Sequence, residues 1–169
     1  MNIVNKEIFE KLYQQAIHFL SYRARSEKEI SDFLYKKSKS KTVQLTKLSS
    51  REYIENIIQQ LKKENLVNDN EFADWWIEQR LSYNPKGKKV LRLELLQKGI
   101  DRQLVEEKIN TISPEHLRKA AKEILCNKIK LYSHLKKREL KDKLIKHLLR
   151  RGFDYQSIKV LVDEFLEKR

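Results

Sequence analysis

The sequence predicts an all-α protein built as three tandem three-helix repeats forming an elongated, curved array. Three observations predict it. Gly and Pro are scarce, 3 and 2 among 169 residues, and they stand at punctuation points. Apolar residues recur at spacings of three and four from end to end, while sustained alternation is absent; Lys89–Leu95 comes nearest, and Gly99 closes it as a glycine closes a helix. Finally, one block recurs at a constant offset of 53 residues. Leu91, Leu95, Lys98, Gly99, Ile100, Asp101, Val105 and Ile109 fall on Leu144, Leu148, Arg151, Gly152, Phe153, Asp154, Ile158 and Val162.

The elements follow in order. The first helix is expected from Glu7 to about Arg23, with Ile8, Leu12, Ala16, Phe19 and Leu20 as its apolar stripe. Ser26 and Glu29 have capping-box spacing and open a second helix to about Lys37, with Ile30, Phe33 and Leu34 inward. The Lys/Ser-rich segment 38–48 reads as an inserted loop. Ser49 and Glu52 form a further capping box for a third helix that ends near Asn65. Asn68 and Asp69 cap a fourth, carrying Phe72, Ala73, Trp76, Ile77 and Arg80. Asn84-Pro85-Lys86-Gly87 is a turn. The fifth helix runs to Gly99, Asp101 caps the sixth, and Ser113-Pro114-Glu115 starts the seventh with a cap, a first-turn proline and an acid at the positive helix end. The eighth spans about Arg138 to Arg151 and stops at Gly152, and Asp154 caps the ninth.

In the repeated corner each residue has a physical job. The leucines form the inward stripe, the glycine ends one helix, and the aspartate accepts a backbone N–H of the next. The flanking apolar pairs, Ile100 with Val105 and Phe153 with Ile158, have the spacing of a hydrophobic staple. Ile30, Leu34 and Lys37 echo the block at an offset of 61, with Ser38 where glycine would stand. The expected units are residues 7–67 (with the inserted loop), 69–112 and 114–167.

The formal net charge of +13 favours an acidic partner. The excess is concentrated: Arg118 to Arg151 holds 13 basic and 3 acidic residues. Lys136, Lys137, Arg138, Lys141, Lys143, Lys146, Arg150 and Arg151 form a dense set, of which Lys136, Lys143, Lys146 and Arg150 share much of one helical face. Phosphate contacts need flexible cations spread along a surface, without exact spacing. The bland alternative is a solubilising face. A second set, Arg80, Lys86, Lys88, Lys89, Arg92 and Lys98, surrounds the turn and is equally compatible with an ordinary exposed loop. Arg23 and Arg25 either pair with nearby acids or face a partner. Trp76 is expected in the core with Phe72 and the stem of Arg80, and Trp75 partly buried, with base stacking as the alternative.

Catalytic chemistry is not indicated. There is no Gly-rich phosphate loop. The four histidines lack metal-ligand spacing, so neither metal nor cofactor is expected. Cys126, among Ile124, Leu125 and Ile129, reads as a buried small residue, and its solitude fits a reducing compartment. The acids read as caps and i,i+4 pairs such as Glu94 with Lys98 rather than an acid/base couple. No apolar run approaches a membrane span, and no signal peptide is evident. A cytoplasmic, non-enzymatic, monomeric binding protein is the expectation, with no membrane partner.

Three motifs carry a resemblance: Ala16-x2-Phe19-Leu20-x2-Arg23-x-Arg25-Ser26-x2-Glu29-Ile30; Leu66-Val67-Asn68-Asp69-x2-Phe72-Ala73-x2-Trp76-x3-Arg80; and Glu94-Leu95-x2-Lys98-Gly99-Ile100. Together they resemble the RecX family of recombination regulators over about residues 10 to 166. The resemblance implies three tandem three-helix repeats and a modulator, usually an inhibitor, of the RecA recombinase. Such a protein lodges in the groove of the RecA–DNA filament and limits filament growth, ATP hydrolysis, strand exchange and coprotease activity in DNA repair, recombination and the SOS response. The chain departs from the family pattern in its 38–48 insertion, with Ser38 for the usual Gly, and in a very basic third repeat suited to direct, salt-sensitive contact with single- and double-stranded DNA. A stand-alone DNA-binding protein with helix-turn-helix-like corners, and a helical scaffold whose charge serves solubility, remain the alternatives.

Overall fold

The computed structural model describes residues 3–39, 47–132 and 134–167, and is all helical there. In chain order the helices are α1 (Ile3–Leu20), α2 (Glu27–Ser38), α3 (Lys47–Lys63), α4 (Asp69–Tyr83), α5 (Lys88–Gln97), α6 (Arg102–Thr111), α7 (Pro114–Leu131), α8 (Lys137–Arg150) and α9 (Tyr155–Glu167). Among the described residues there is no strand. Two compact units are formed, Met1–Ala73 with Lys98–Ile100, and Asp74–Gln97 with Asp101–Arg169.

In the first unit α1, α2 and α3 pack around Leu12, Ala16, Ile30, Leu34, Ile54, Ile57 and Leu61, all buried. α1 stops at Leu20, short of Arg23, whose side chain donates to the Ala24 carbonyl and forks onto Glu29. α3 begins at Lys47, so Ser49 lies inside the helix rather than at its cap. Of the expected loop, residues 40–46 lie outside the described residues. Ser38, however, is still helical and buried, its hydroxyl donating to the Tyr35 carbonyl. Lys39 after it is right-handed (φ −85°). No left-handed corner forms there, so no glycine is required. At the end of α3, Asn65 takes φ 56°, and Leu66 N–H reaches the Leu61 carbonyl in a Schellman closure.

The start of α2 shows how far local pattern carries. Ser26 accepts the Glu29 N–H as expected, but Glu29 does not return the bond to complete a capping box. Its carboxylate instead takes Arg23 (2.8 and 3.0 Å) and Lys98 (2.6 Å). The Ser26 hydroxyl donates to the Lys98 carbonyl, 2.7 Å. Asp69 does not cap α4 either; Asn68 does, accepting from Asn70 and Glu71. Asp69 accepts the Glu27 N–H and so satisfies a first-turn donor of α2. Burial pushes its pKa up despite that bond.

Burial alone would raise the Glu29 pKa. The hydrogen bonds from Arg23 and Lys98 outweigh it and bring the carboxyl down to about 2, from an ordinary 4.5. A lowered folded-state pKa adds stability that is complete above the ordinary pKa and is lost as pH falls toward the folded value. Glu29→Gln is therefore expected to cost roughly 3 kcal/mol at pH 7, and the gap from wild type should close between about pH 5 and pH 2. Urea unfolding of both proteins at pH 7 and pH 2.5 checks this; an equal gap at the two values would contradict it.

In the second unit α7, α8 and α9 pack around Ala120, Ala121, Ile124, Leu125, Leu140, Leu144, Leu148, Ile158, Leu161, Val162 and Leu166. α5 and α6 pack together, with Leu91, Leu95, Val105 and Ile109 buried. Asp101 accepts from Gln103 and Leu104, Ser113 from His116, and Asp154 from Ser157, as the caps require. Phe153 and Ile158 share one core.

Both corner glycines are left-handed, Gly99 at φ 84° and Gly152 at φ 85°. Each faces the start of another helix. A Cβ on Gly99 would lie 2.6 Å from the Lys28 Cβ, and one on Gly152 would lie 2.6 Å from the Val90 N. The residue before each glycine offers its carbonyl to the residue preceding that helix, Lys98 to the Ser26 hydroxyl and Arg151 to the Gly87 N–H (2.8 Å). The same junction is thus made twice, once within each unit.

Candidate nucleic-acid interface

α8 is positioned by its inward leucines, Leu140, Leu144 and Leu148, which fix what its other residues present. Lys136, Lys143 and Arg150 lie to one side of that stripe and Lys146 opposite it, and all four are exposed. Glu139 and Asp142 are exposed too, so the outer surface is basic but not uniformly so. Lys137 and Arg138 are exposed in the first turn. Lys136, Lys137, Arg138, Lys146 and Arg150 make no ion pair among the described residues. The Lys143 ammonium lies 5.4 Å from the centre of the Tyr132 ring.

Two members of that set have internal tasks. Lys141 pairs with Asp163 of α9, 2.5 Å. Arg151 donates to the Asn84 side-chain oxygen (2.7 Å) and to the Pro85 carbonyl (3.2 Å), tying the turn to the α8–α9 corner.

The turn set divides the same way. The Arg80 guanidinium stacks 4.2 Å from the Trp76 ring and donates to Glu94 at 2.6 Å, and the Trp76 indole N–H donates to the same carboxylate oxygen at 3.0 Å. Arg92 forks onto Glu106, 2.6 and 2.9 Å. That hydrogen bonding raises the Arg92 pKa and lowers the Glu106 pKa. Lys86 and Lys88 are half-buried and Lys89 exposed, and none of the three makes an ion pair among the described residues. The pair expected between Glu94 and Lys98 is not made, because Glu94 is taken by Arg80 and Trp76 and Lys98 by Glu29.

Arg23 and Arg25 prove to be structural. Arg23 pairs with Glu29, and the Arg25 guanidinium lies 3.8 Å over the Phe19 ring, which stacks on Phe33 at 4.2 Å. Burial, then the charge of Arg23, lowers the Arg25 pKa. Trp76 is buried as expected, and Trp75 is half-buried with its ring 6.1 Å from that of Trp76. Cys126 departs from expectation: it is exposed. Its neighbours Ile124 and Leu125 are buried, but a helix turns about 100° per residue, and Cys126 falls beyond the buried stripe. No group of three or more His, Cys, Asp or Glu among the described residues is placed to hold a metal. No described helix is long and apolar enough to cross a membrane.

The exposed cations of α8 and of the turn can meet anions. Comparison with known proteins gives them a context. Residues 13–40 match the family model for the first three-helix domain of RecX, and residues 68–109 match that for the second three-helix domain. The chain is 31% identical over 159 residues to a regulatory protein RecX of Oceanobacillus iheyensis, covering 94% of this chain and 55% of that protein. It is 35% identical over 150 residues to the regulatory protein RecX of Streptococcus mutans, covering 88% and 53%. The chain thus spans about half the length of these curated relatives. The crystal structure of RecX from Lactobacillus salivarius superposes with a TM-score of 0.76 at 27% identity, covering 97% of this chain and 99% of that one. On the family models, the relatives and the fold together, the chain belongs to the RecX family.

Proposed function

We propose that the chain is a non-enzymatic regulator, and most simply an inhibitor, of the RecA recombinase. It binds the RecA–DNA filament and modulates ATP hydrolysis, strand exchange and coprotease activity in DNA repair, recombination and the SOS response. It acts as a cytoplasmic monomer organised as three three-helix units, residues 7–67, 69–112 and 114–167. Family membership supports the partner. The observation that carries the contact is the α8 face of Lys136, Lys143, Lys146 and Arg150, whose charges have no ion-pair partner among the described residues. Lys137, Arg138, Lys86, Lys88 and Lys89 extend it, whereas Arg80, Arg92 and Lys141 pair with acids of the protein itself and Arg151 ties the turn to the α8–α9 corner. Single- and double-stranded DNA would be met through phosphates, with steep salt dependence.

The expected result is slower RecA-catalysed ATP hydrolysis on single-stranded DNA at substoichiometric protein. The same exposed cations also favour a second reading, a DNA-binding protein indifferent to RecA. Tight, salt-sensitive binding to bare DNA with an unchanged ATPase would select that reading instead.

A further inference from the structure

Between the turn after α4, the middle of α7 and the last turn of α8 lies a cavity of about 320 Å³. Ligand-holding clefts begin near that size, at roughly 300 Å³. Tyr83, Glu123, Asn127, Lys128, His147 and Arg151 stand in its wall. The His147 Nε2 is buried and has no hydrogen-bond partner among the described residues. Buried polar atoms in folded proteins are nearly always paired, so an unpaired one just behind a cavity wall is unusual.

The surroundings define the ligand's charge. Lys128 of α7, Arg151 and Arg150 at the end of α8, and Lys86 of the turn all act on His147, with Glu123 of α7 a carboxylate on the same wall. Burial first, and then those four cations, push the imidazole pKa down and disfavour its charged form. The Arg151 guanidinium is fixed in the wall by Asn84 and Pro85. Tyr83 lines the same cavity yet is 81% exposed. An open aromatic ring beside a cluster of cations is the combination that single-stranded nucleic acid uses, bases stacking while phosphates meet positive charge. A carboxylate ligand would have no use for the ring.

We propose that this cavity binds a phosphodiester group of single-stranded nucleic acid, held by Lys128 and Arg151 in front of the buried His147, with Tyr83 stacking on the adjacent base. The site deepens the proposed function and rests on its DNA contact. A bound anion offsets the four cations, so it raises the His147 pKa and binding takes up a proton. Affinity therefore increases as pH falls through the ordinary histidine range.

The test follows the His147 imidazole resonances of isotope-labelled full chain as inorganic phosphate, oligo-dT or polyglutamate is added. Oligo-dT is expected to shift His147 saturably and raise its pKa by about one unit; inorganic phosphate should do the same at higher concentration. Tyr83→Ala should weaken oligo-dT about tenfold while leaving inorganic phosphate unchanged. Oligo-dT binding that leaves His147 unmoved would overturn the cavity assignment, although the RecA assay above would still stand. An equal response to polyglutamate would overturn it in favour of an acidic protein segment.

Discussion

Gly87→Ala is expected to destabilise the second unit by about 3 kcal/mol, a large loss for one methyl group. The added Cβ would lie 2.2 Å from the Gly152 carbonyl oxygen and 2.3 Å from the Phe153 N. Both are backbone atoms, so neither can rotate aside. Moving them breaks the Gly87 N–H bond to the Arg151 carbonyl and the Lys89 N–H bond to the Gly152 carbonyl. Gly152→Ala meets Val90 instead, with its Cβ 2.6 Å from the Val90 N, and adds the cost of a left-handed non-glycine, about 1–2 kcal/mol. Urea unfolding followed by helix dichroism measures both. A loss below about 1 kcal/mol for Gly87→Ala would mean that the turn and the corner are not in backbone contact.

The second large effect concerns binding. Reversing Lys136, Lys143, Lys146 and Arg150 to glutamate should reduce affinity for oligo-dT by on the order of 100-fold or more at moderate salt. It should also flatten the slope of log K against log salt by about 3, at roughly 0.7 per lost phosphate contact on single strands. Stability should hardly change, because these side chains are exposed and make no ion pair among the described residues. Reversing Arg80 or Arg92 should behave oppositely. Glu94 and Glu106 would each face a like charge, so unfolding free energy would fall while the salt slope stayed near wild type.

That contrast marks where sequence reading succeeds and where it stops. Helices, caps and corners rest on interactions within about five residues, and Ser26, Asp101, Ser113, Gly99 and Gly152 hold the places their local patterns require. The partner of a charge is a tertiary fact. Arg80 and Glu94 are 14 residues apart, Arg151 and Asn84 are 67, and Glu29 and Lys98 are 69. Nothing in local spacing separates these arginines from Arg150, which makes no ion pair among the described residues. The i,i+4 rule pointed Glu94 at Lys98, but a stacked, half-buried Arg80 offered the stronger partner. The His147 cavity was invisible for the same reason: its walls come from the end of α4, from α7 and from α8. Cys126 was misplaced through helical phase, its apolar neighbours being on the buried side and itself on the other.

DNA strand exchange by RecA, run with the wild-type chain and with the Lys136/Lys143/Lys146/Arg150 reversal, tests the central claim most directly. The wild type is expected to inhibit at amounts well below RecA, and the reversed but fully folded variant to lose that inhibition. Strand exchange unaffected by the wild-type chain, or inhibited equally by both proteins, would contradict it.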